Sequence, residues 1–316
     1  MPVAPARPGT PIAASFRMTP WNPTVITARV LWRRCRAAAL LTAAAVLLTA
    51  CTSPGADTEQ ATTAADPGTG HLHGLGVDPA DNTVYAAGHL GVFRLSAGKT
   101  VRVTDHYQDT MGFTITGPST FLASGHPSPT DPAARSLHLG LIRSTDAGRT
   151  WTTLSADGEA DFHALQQAGD RLYGFDSQSG KVWASVDDGR TWDQRAELPL
   201  LDLAAHATNP ETVWAATGTG LRRSTDGGRT FTALTDAPDV VAVDEPEPGL
   251  LVALSPDGRV LSSRDAQKWT DRGRLPHGGE ASVLTAVTAQ RLLAADNTEA
   301  VYQSTDAGRT WKVLHR

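Results

Sequence analysis

His71 and His73 stand at i and i+2, a spacing that projects two imidazoles from one face of a strand and so offers two nitrogen ligands to a single ion. Seven of the ten histidines precede residue 164, and His89, His126 and His163 are among them. Met111 and His163 would complete a soft, copper-binding set with the first pair, whereas Asp161 in place of the methionine favours zinc or a harder ion. The competing role for these imidazoles is hydrogen bonding to exposed backbone at a rim. A second chemistry rests on carboxylates. Glu159, Asp161, Asp176 and Asp202 are the candidates for the acid/base pair of a hydrolase, each competing with the role of a solvated turn residue. Neither a G-x-S-x-G nucleophile elbow nor a phosphate-binding glycine loop occurs, so nucleophilic-serine and nucleotide chemistry have no motif to stand on.

The segment ahead of these residues reads as an export signal. Arg33, Arg34 and Arg36 precede the apolar run from Ala37 to Leu48, twelve residues that are too few to span a bilayer as a helix. The run ends in Leu48-Thr49-Ala50-Cys51, which resembles a bacterial lipobox and implies lipidation of Cys51. Residues 1–50 are thus expected to be a signal peptide whose true start could be Met18 or later. Residues 51–70 would be the lipidated cysteine and a flexible linker rich in Thr, Ala, Asp, Pro and Gly, and 71–316 the folded domain. Cys35 falls in the leader and Cys51 carries lipid, which leaves the mature chain without a disulfide. The expected address is the outer face of the cytoplasmic membrane.

With 316 residues, 40% hydrophobic and 19% charged, the chain can bury a large core, and a net charge of -5 removes the basic footprint that nucleic acid requires. What positions the histidines is a repeat. Ser144-Thr145-Asp146-Ala147-Gly148-Arg149-Thr150-Trp151 recurs from Ser185, Ser224 and Ser304, with a shortened copy at Ser263-Arg264-Asp265-Ala266-Gln267-Lys268-Trp269. The copies start 41, 39, 39 and 41 residues apart, about the length of one four-stranded propeller blade. Asp146, Asp187, Asp226, Asp265 and Asp306 would each accept backbone N–H bonds in a hairpin turn, with glycine supplying the positive φ. First strands are expected to begin at His71, Met111, Asp161, Leu201, Asp239 and Ala281, giving an all-β, six-bladed propeller whose second unit is lengthened by the loop from Pro127 to Leu137. No spare terminal strand is left to lock the ring, so side-chain packing must close it.

The repeated phrase resembles the Asp-box, or BNR repeat, of sialidases and sortilin-like receptors. Together with the lipobox, the His71-Leu-His-Gly-Leu-Gly opening, Met111-Gly-Phe-Thr, Ala123-Ser-Gly-His-Pro and Asp161-Phe-His-Ala-Leu, it is similar to a bacterial family of exported propellers labelled glycosyl hydrolases or exo-α-sialidases. That resemblance implies the fold and, with it, a glycosidase activity. A sialidase also needs an arginine triad and a tyrosine nucleophile paired with a glutamate. Here Arg149, Arg190, Arg229 and Arg309 belong to the boxes, and Tyr85, Tyr107, Tyr173 and Tyr302 have no recognisable glutamate partner. The reading is a monomeric, membrane-anchored module that binds a protein, glycan or metal at its histidine-bearing channel mouth. A glycoside hydrolase, and a copper- or zinc-binding envelope lipoprotein, stand as alternatives.

Overall fold

A computed structural model of the chain describes residues 66–96, 98–104, 107–276 and 279–316. The expected signal peptide, lipobox and Cys51 lie outside the described residues. Twenty-four strands form six four-stranded antiparallel sheets, each from one uninterrupted stretch of chain. The first sheet is β1 (Leu72–Val77), β2 (Val84–Gly88), β3 (Gly91–Ser96) and β4 (Lys99–Arg102); the second is β5 (Asp109–Gly117), β6 (Thr120–His126), β7 (Leu141–Ser144) and β8 (Thr152–Ser155). The third runs through β9 (Phe162–Ala168), β10 (Arg171–Asp176), β11 (Lys181–Ser185) and β12 (Asp193–Glu197), and the fourth through β13 (Asp202–Ala204), β14 (Val213–Thr217), β15 (Gly220–Ser224) and β16 (Thr232–Ala233). The fifth comprises β17 (Ala242–Glu247), β18 (Leu250–Leu254), β19 (Arg259–Ser263) and β20 (Thr270–Arg274), and the sixth β21 (Ala281–Ala286), β22 (Leu292–Asp296), β23 (Val301–Ser304) and β24 (Lys312–His315). The first strands contact one another in the closed order β1, β5, β9, β13, β17, β21 and back to β1, which makes a six-bladed propeller.

One side-chain pattern explains why the blades converge. Each first strand sets a larger apolar residue opposite a small one on the second strand: Leu75 faces Ala86, Phe113 faces Ala123, Leu165 faces Gly174, Leu203 faces Ala215, Val243 faces Ala253 and Leu284 faces Ala294. Small residues let neighbouring blades approach near the axis, where the ring is narrowest. At Gly74 on β1 an added Cβ would lie 2.7 Å from Cβ of Phe113 in the next blade. The second strands are buried along their length and read as near-continuous apolar runs, such as Leu250 to Leu254.

The repeated turns are held by a local network. The Ser144 hydroxyl donates to Asp146 Oδ1 at 2.8 Å and accepts the Gly148 N–H at 2.8 Å, while Asp146 accepts the Thr150 N–H at 2.9 Å and the Thr150 hydroxyl at 2.7 Å. Ser185, Ser224 and Ser304 repeat it around Asp187, Asp226 and Asp306. Two consecutive left-handed residues turn the chain in the first copy, Ala147 at φ 58° and Gly148 at 82°. In the shortened copy Asp265 accepts the Gln267 and Lys268 N–H groups at 2.9 and 2.8 Å. The Thr191 N–H, then the hydroxyls of Thr191 and Ser185, hold the Asp187 carboxyl down to about 2. The arginines of the four full copies donate back to the carbonyl of their own aspartate, and so serve the turn.

Among the described residues no strand crosses from the last blade to the first. Their seam is an apolar cluster in which Leu72, Leu75, Val84 and Phe93 pack with Val283, Leu293, Ala295 and Val301. The Thr285 hydroxyl adds a bond to the Leu75 carbonyl at 2.9 Å, and Thr100 Oγ1 lies 2.7 Å from His315 Nδ1. Elsewhere carboxylates make equivalent links along the axis: Asp202 accepts the Val243 N–H at 3.0 Å and Asp244 accepts the Ala286 N–H at 2.8 Å.

Candidate metal centre at the channel mouth

Blades one to three deliver six histidines and two aspartates to one end of their inner strands. His71 and His73 come from the entry to β1, and His89 from the turn after β2, where its N–H bonds the His71 carbonyl at 3.1 Å. The three rings are near neighbours, with centroids 5.0 Å apart for His71 and His73, 4.7 Å for His73 and His89, and 6.0 Å for His71 and His89. Asp109 opens β5 directly opposite His126 at the end of β6. His138 returns to this end from the long loop, its ring centroid 5.5 Å from that of His126. Asp161 precedes β9, and His163 is its second residue.

Two carboxylates organise the rings. Asp109 Oδ1 lies 2.9 Å from His89 Nδ1, and its Oδ2 lies 3.2 Å from His126 Nδ1. Asp161 Oδ2 lies 2.9 Å from His163 Nε2 and 3.5 Å from His126 Nε2, and accepts the Ser177 hydroxyl at 2.9 Å. Burial opposes charge on Asp161, but His163 beside it, then Ser177 and His126, hold its carboxyl below the ordinary value. His73 is displaced in the sense that suits a ligand: burial, then its neighbours His89 and His71, push it down to about 4, so its imidazole is neutral at pH 7.

Ligand atoms of His73, His89 and Asp109 lie within 4.8 Å of one another, as do those of His126, His138 and Asp161. Zinc bonds of about 2.0–2.1 Å set tetrahedral donors roughly 3.3 Å apart, so a small inward adjustment closes either group on an ion. Three buried atoms here find no hydrogen-bond partner among the described residues: His73 Nε2, His138 Nδ1 and Asp161 Oδ1. Buried polar atoms are nearly always paired, and three such atoms in one polar patch mark a place where a ligand would satisfy them. The donor set of imidazole nitrogen and carboxylate oxygen suits zinc or copper(II).

Of the residues singled out in the sequence, His71, His73, His89, His126, His163 and Asp161 come together here. Met111 lies half-buried in the β5 bulge between Thr110 and Phe113. The remaining carboxylates are elsewhere engaged. Glu159 is exposed in a turn. Asp176 is buried, its Oδ1 accepting the Asp161 N–H at 2.8 Å and its Oδ2 the Ser179 N–H at 2.9 Å. Asp202 faces the axial cavity of about 110 Å³ that His73 and His163 also line. Burial pushes its carboxyl up to about 8 against the charge-favouring bonds from Val243 and Leu203. Two members of the cluster escaped the sequence reading, Asp109 as a ligand and His138 altogether. A signal for Asp109 lay in its position at the entry of the second unit, the counterpart of His71 and Asp161 in their units.

No family model matches the sequence, and no curated protein matches it. Among solved structures the chain is similar to a GH74 enzyme from Niastella koreensis, at 18% identity and TM-score 0.52, covering 78% of this chain and 45% of that one. It is also similar to virginiamycin B lyase from Staphylococcus aureus, at 14% identity and TM-score 0.51 over 78% of this chain and 85% of the lyase. A chain of the nidogen/laminin complex matches at 12% identity and TM-score 0.56, over 74% and 93% of the two chains. The chain therefore spans less than half of the GH74 enzyme. At these identities the likeness is one of fold, and what this chain shares with all three is a β-propeller.

Proposed function

We propose that this propeller is an exported, membrane-anchored binding module that takes up a divalent transition metal, zinc or copper, at the mouth formed by blades one to three. The observation that carries the reading is the convergence of six histidines and two aspartates from three blades around three buried, unpartnered ligand atoms. Anchorage rests on the lipobox-like Leu48-Thr49-Ala50-Cys51. The patch leaves His73 neutral and holds the Asp161 carboxyl below its ordinary value, the protonation states that metal ligands of these types require.

The test is a zinc and copper titration of the metal-stripped full chain by calorimetry, beside the His71→Ala, His73→Ala double variant. Binding at near-stoichiometric ratio that weakens at least tenfold in the double variant is expected. Absence of binding in the wild-type chain would return the histidines to a structural role.

A further inference from the structure

The His126, His138 and Asp161 group stands apart from the one that His71 and His73 serve, and we propose that it seats a second zinc ion, whose open coordination position takes a small carboxylate from the pocket formed by the long loop. This goes beyond the metal-binding reading above and rests on it. The two groups part at the His126 ring. Its Nδ1 lies 3.2 Å from Asp109 Oδ2, on the side of the first group, and its Nε2 lies 3.5 Å from Asp161 Oδ2. A ring that donates its Nδ1–H to a carboxylate presents the Nε2 lone pair to an ion, the usual arrangement of a metal-bound histidine.

The other two ligands are fixed by bonds that each leave one atom for the ion. Asp161 is 2% exposed; its Oδ2 accepts the Ser177 hydroxyl at 2.9 Å and lies 2.9 Å from His163 Nε2, while its Oδ1 is buried with no partner among the described residues. His138 is pinned through the backbone. Its carbonyl accepts the Gly158 N–H at 2.9 Å and the Ser136 hydroxyl at 2.8 Å, and the next residue, Leu139, donates its N–H to the Gly125 carbonyl at 2.9 Å. The loop is thereby returned beside His126, and His138 Nδ1 is left buried and unpartnered. Two imidazoles and one carboxylate are the ligand set of zinc sites that keep a fourth position open for water or substrate. Both histidines also line a pocket of about 660 Å³. Pro127, Pro129 and Leu137 give that pocket apolar walls, and Arg135 gives it a cation; its one acidic residue, Asp131, is spent on the Ala133 N–H of its own turn at 2.8 Å. A zinc ion and a guanidinium on a largely apolar surface match a carboxylate carried on an aliphatic body.

The experiment first counts ions and then probes the open position. Metal-stripped full chains are loaded with zinc and analysed by mass spectrometry of the metal. The wild type is expected to hold two ions, His138→Ala one, and the His71→Ala, His73→Ala double variant one, with the metal-free thermal transition unchanged among them. The double variant, whose remaining ion is the second, is then loaded with cobalt(II) and titrated with hexanoate. A saturable shift of the visible cobalt bands is expected, absent with hexan-1-ol and weakened several-fold when Arg135→Ala is added. A zinc content that His138→Ala leaves unchanged, or a double variant that holds no ion, overturns the second position and leaves the metal-binding reading standing. No shift with hexanoate, an equal shift with hexan-1-ol, or a hexanoate response indifferent to Arg135→Ala overturns the carboxylate. No bound ion in the wild type refutes both readings together.

Discussion

Gly125 is the residue against which the Asp109-bearing strand packs, and replacing it with alanine tests the geometry of that side of the mouth. It sits on β6 beside His126 at φ 134°, a region that side chains rarely adopt. An added Cβ would fall 2.1 Å from the Asp109 carbonyl oxygen and 2.9 Å from the Met111 nitrogen, so β5 would have to move away. Backbone strain of about 1–3 kcal/mol and an overpacking cost of about 1–3 kcal/mol give a destabilisation of roughly 2–6 kcal/mol. For a domain of this size each kcal/mol lowers Tm by about 2–4 °C, so a fall of at least ~4 °C is expected by differential scanning fluorimetry. The same displacement moves Asp109 away from His89 and His126, and zinc affinity should fall at least tenfold with it. Gly218→Ala is the control: its Cβ meets nothing within 4 Å and its φ is not in the strained range. A Gly125→Ala chain that melts with the control and titrates zinc like wild type would refute the claim that this close approach sets the site.

Three further outcomes follow from the geometry. His73 has a folded pKa of about 4 against 6.5 unfolded, so the folded state binds fewer protons between those values. Its contribution to stability is complete above about pH 6.5 and is lost as pH falls through about 4; urea midpoints of the metal-free chain should therefore drop more steeply over that window than those of His73→Gln, and equal slopes would contradict the burial argument. Thr285→Val removes the hydroxyl bond across the seam between the last and first blades and should cost about 1 kcal/mol, read as roughly 2–4 °C in Tm; no change would mean that this bond contributes nothing to closing the ring. Asp226→Ala should strip hydrogen-exchange protection from the Thr230 amide, which bonds Asp226 Oδ1 at 2.9 Å, while leaving zinc binding untouched. Retained protection would assign that turn to other contacts.

The architecture was legible because its signal is local and repeated. A Ser-x-Asp turn needs only residues within the same hairpin, so five copies at a period near forty announce five blades, and the strand pattern opening at His71 adds the sixth. Expected strand starts fall within three residues of those observed, and the missing terminal strand pointed to a seam held by side chains. His71, His73 and His163 were legible for the same reason, as alternation along single strands. Asp109 and His138 were not. The pairing of Asp109 with His126 depends on bulges in β5, where the register shifts between Thr110 and Phe113, and on β6 running to His126 instead of ending short of it. His138 reaches the mouth through an irregular loop whose path is decided by tertiary contacts. Asp176 and Asp202 read as free carboxylates in the sequence because backbone N–H donors from separate strands leave no trace in composition.

That the described residues exchange no strand at the seam also bears on how the propeller can fold. Every sheet joins segments that are close in the chain, such as Leu72–Val77 through Lys99–Arg102 for the first blade, so strand pairing requires no long loop closure. Among the described residues the docking of the last blade on the first joins the most distant segments, with Thr285 meeting Leu75 across 210 positions. That step buries the side chains of the seam and forms the Thr285–Leu75 and Thr100–His315 bonds. Ring closure is then expected to follow hairpin assembly, and a split between the first and last blades with each sheet still intact would show as joint loss of hydrogen-exchange protection along β1 and β21.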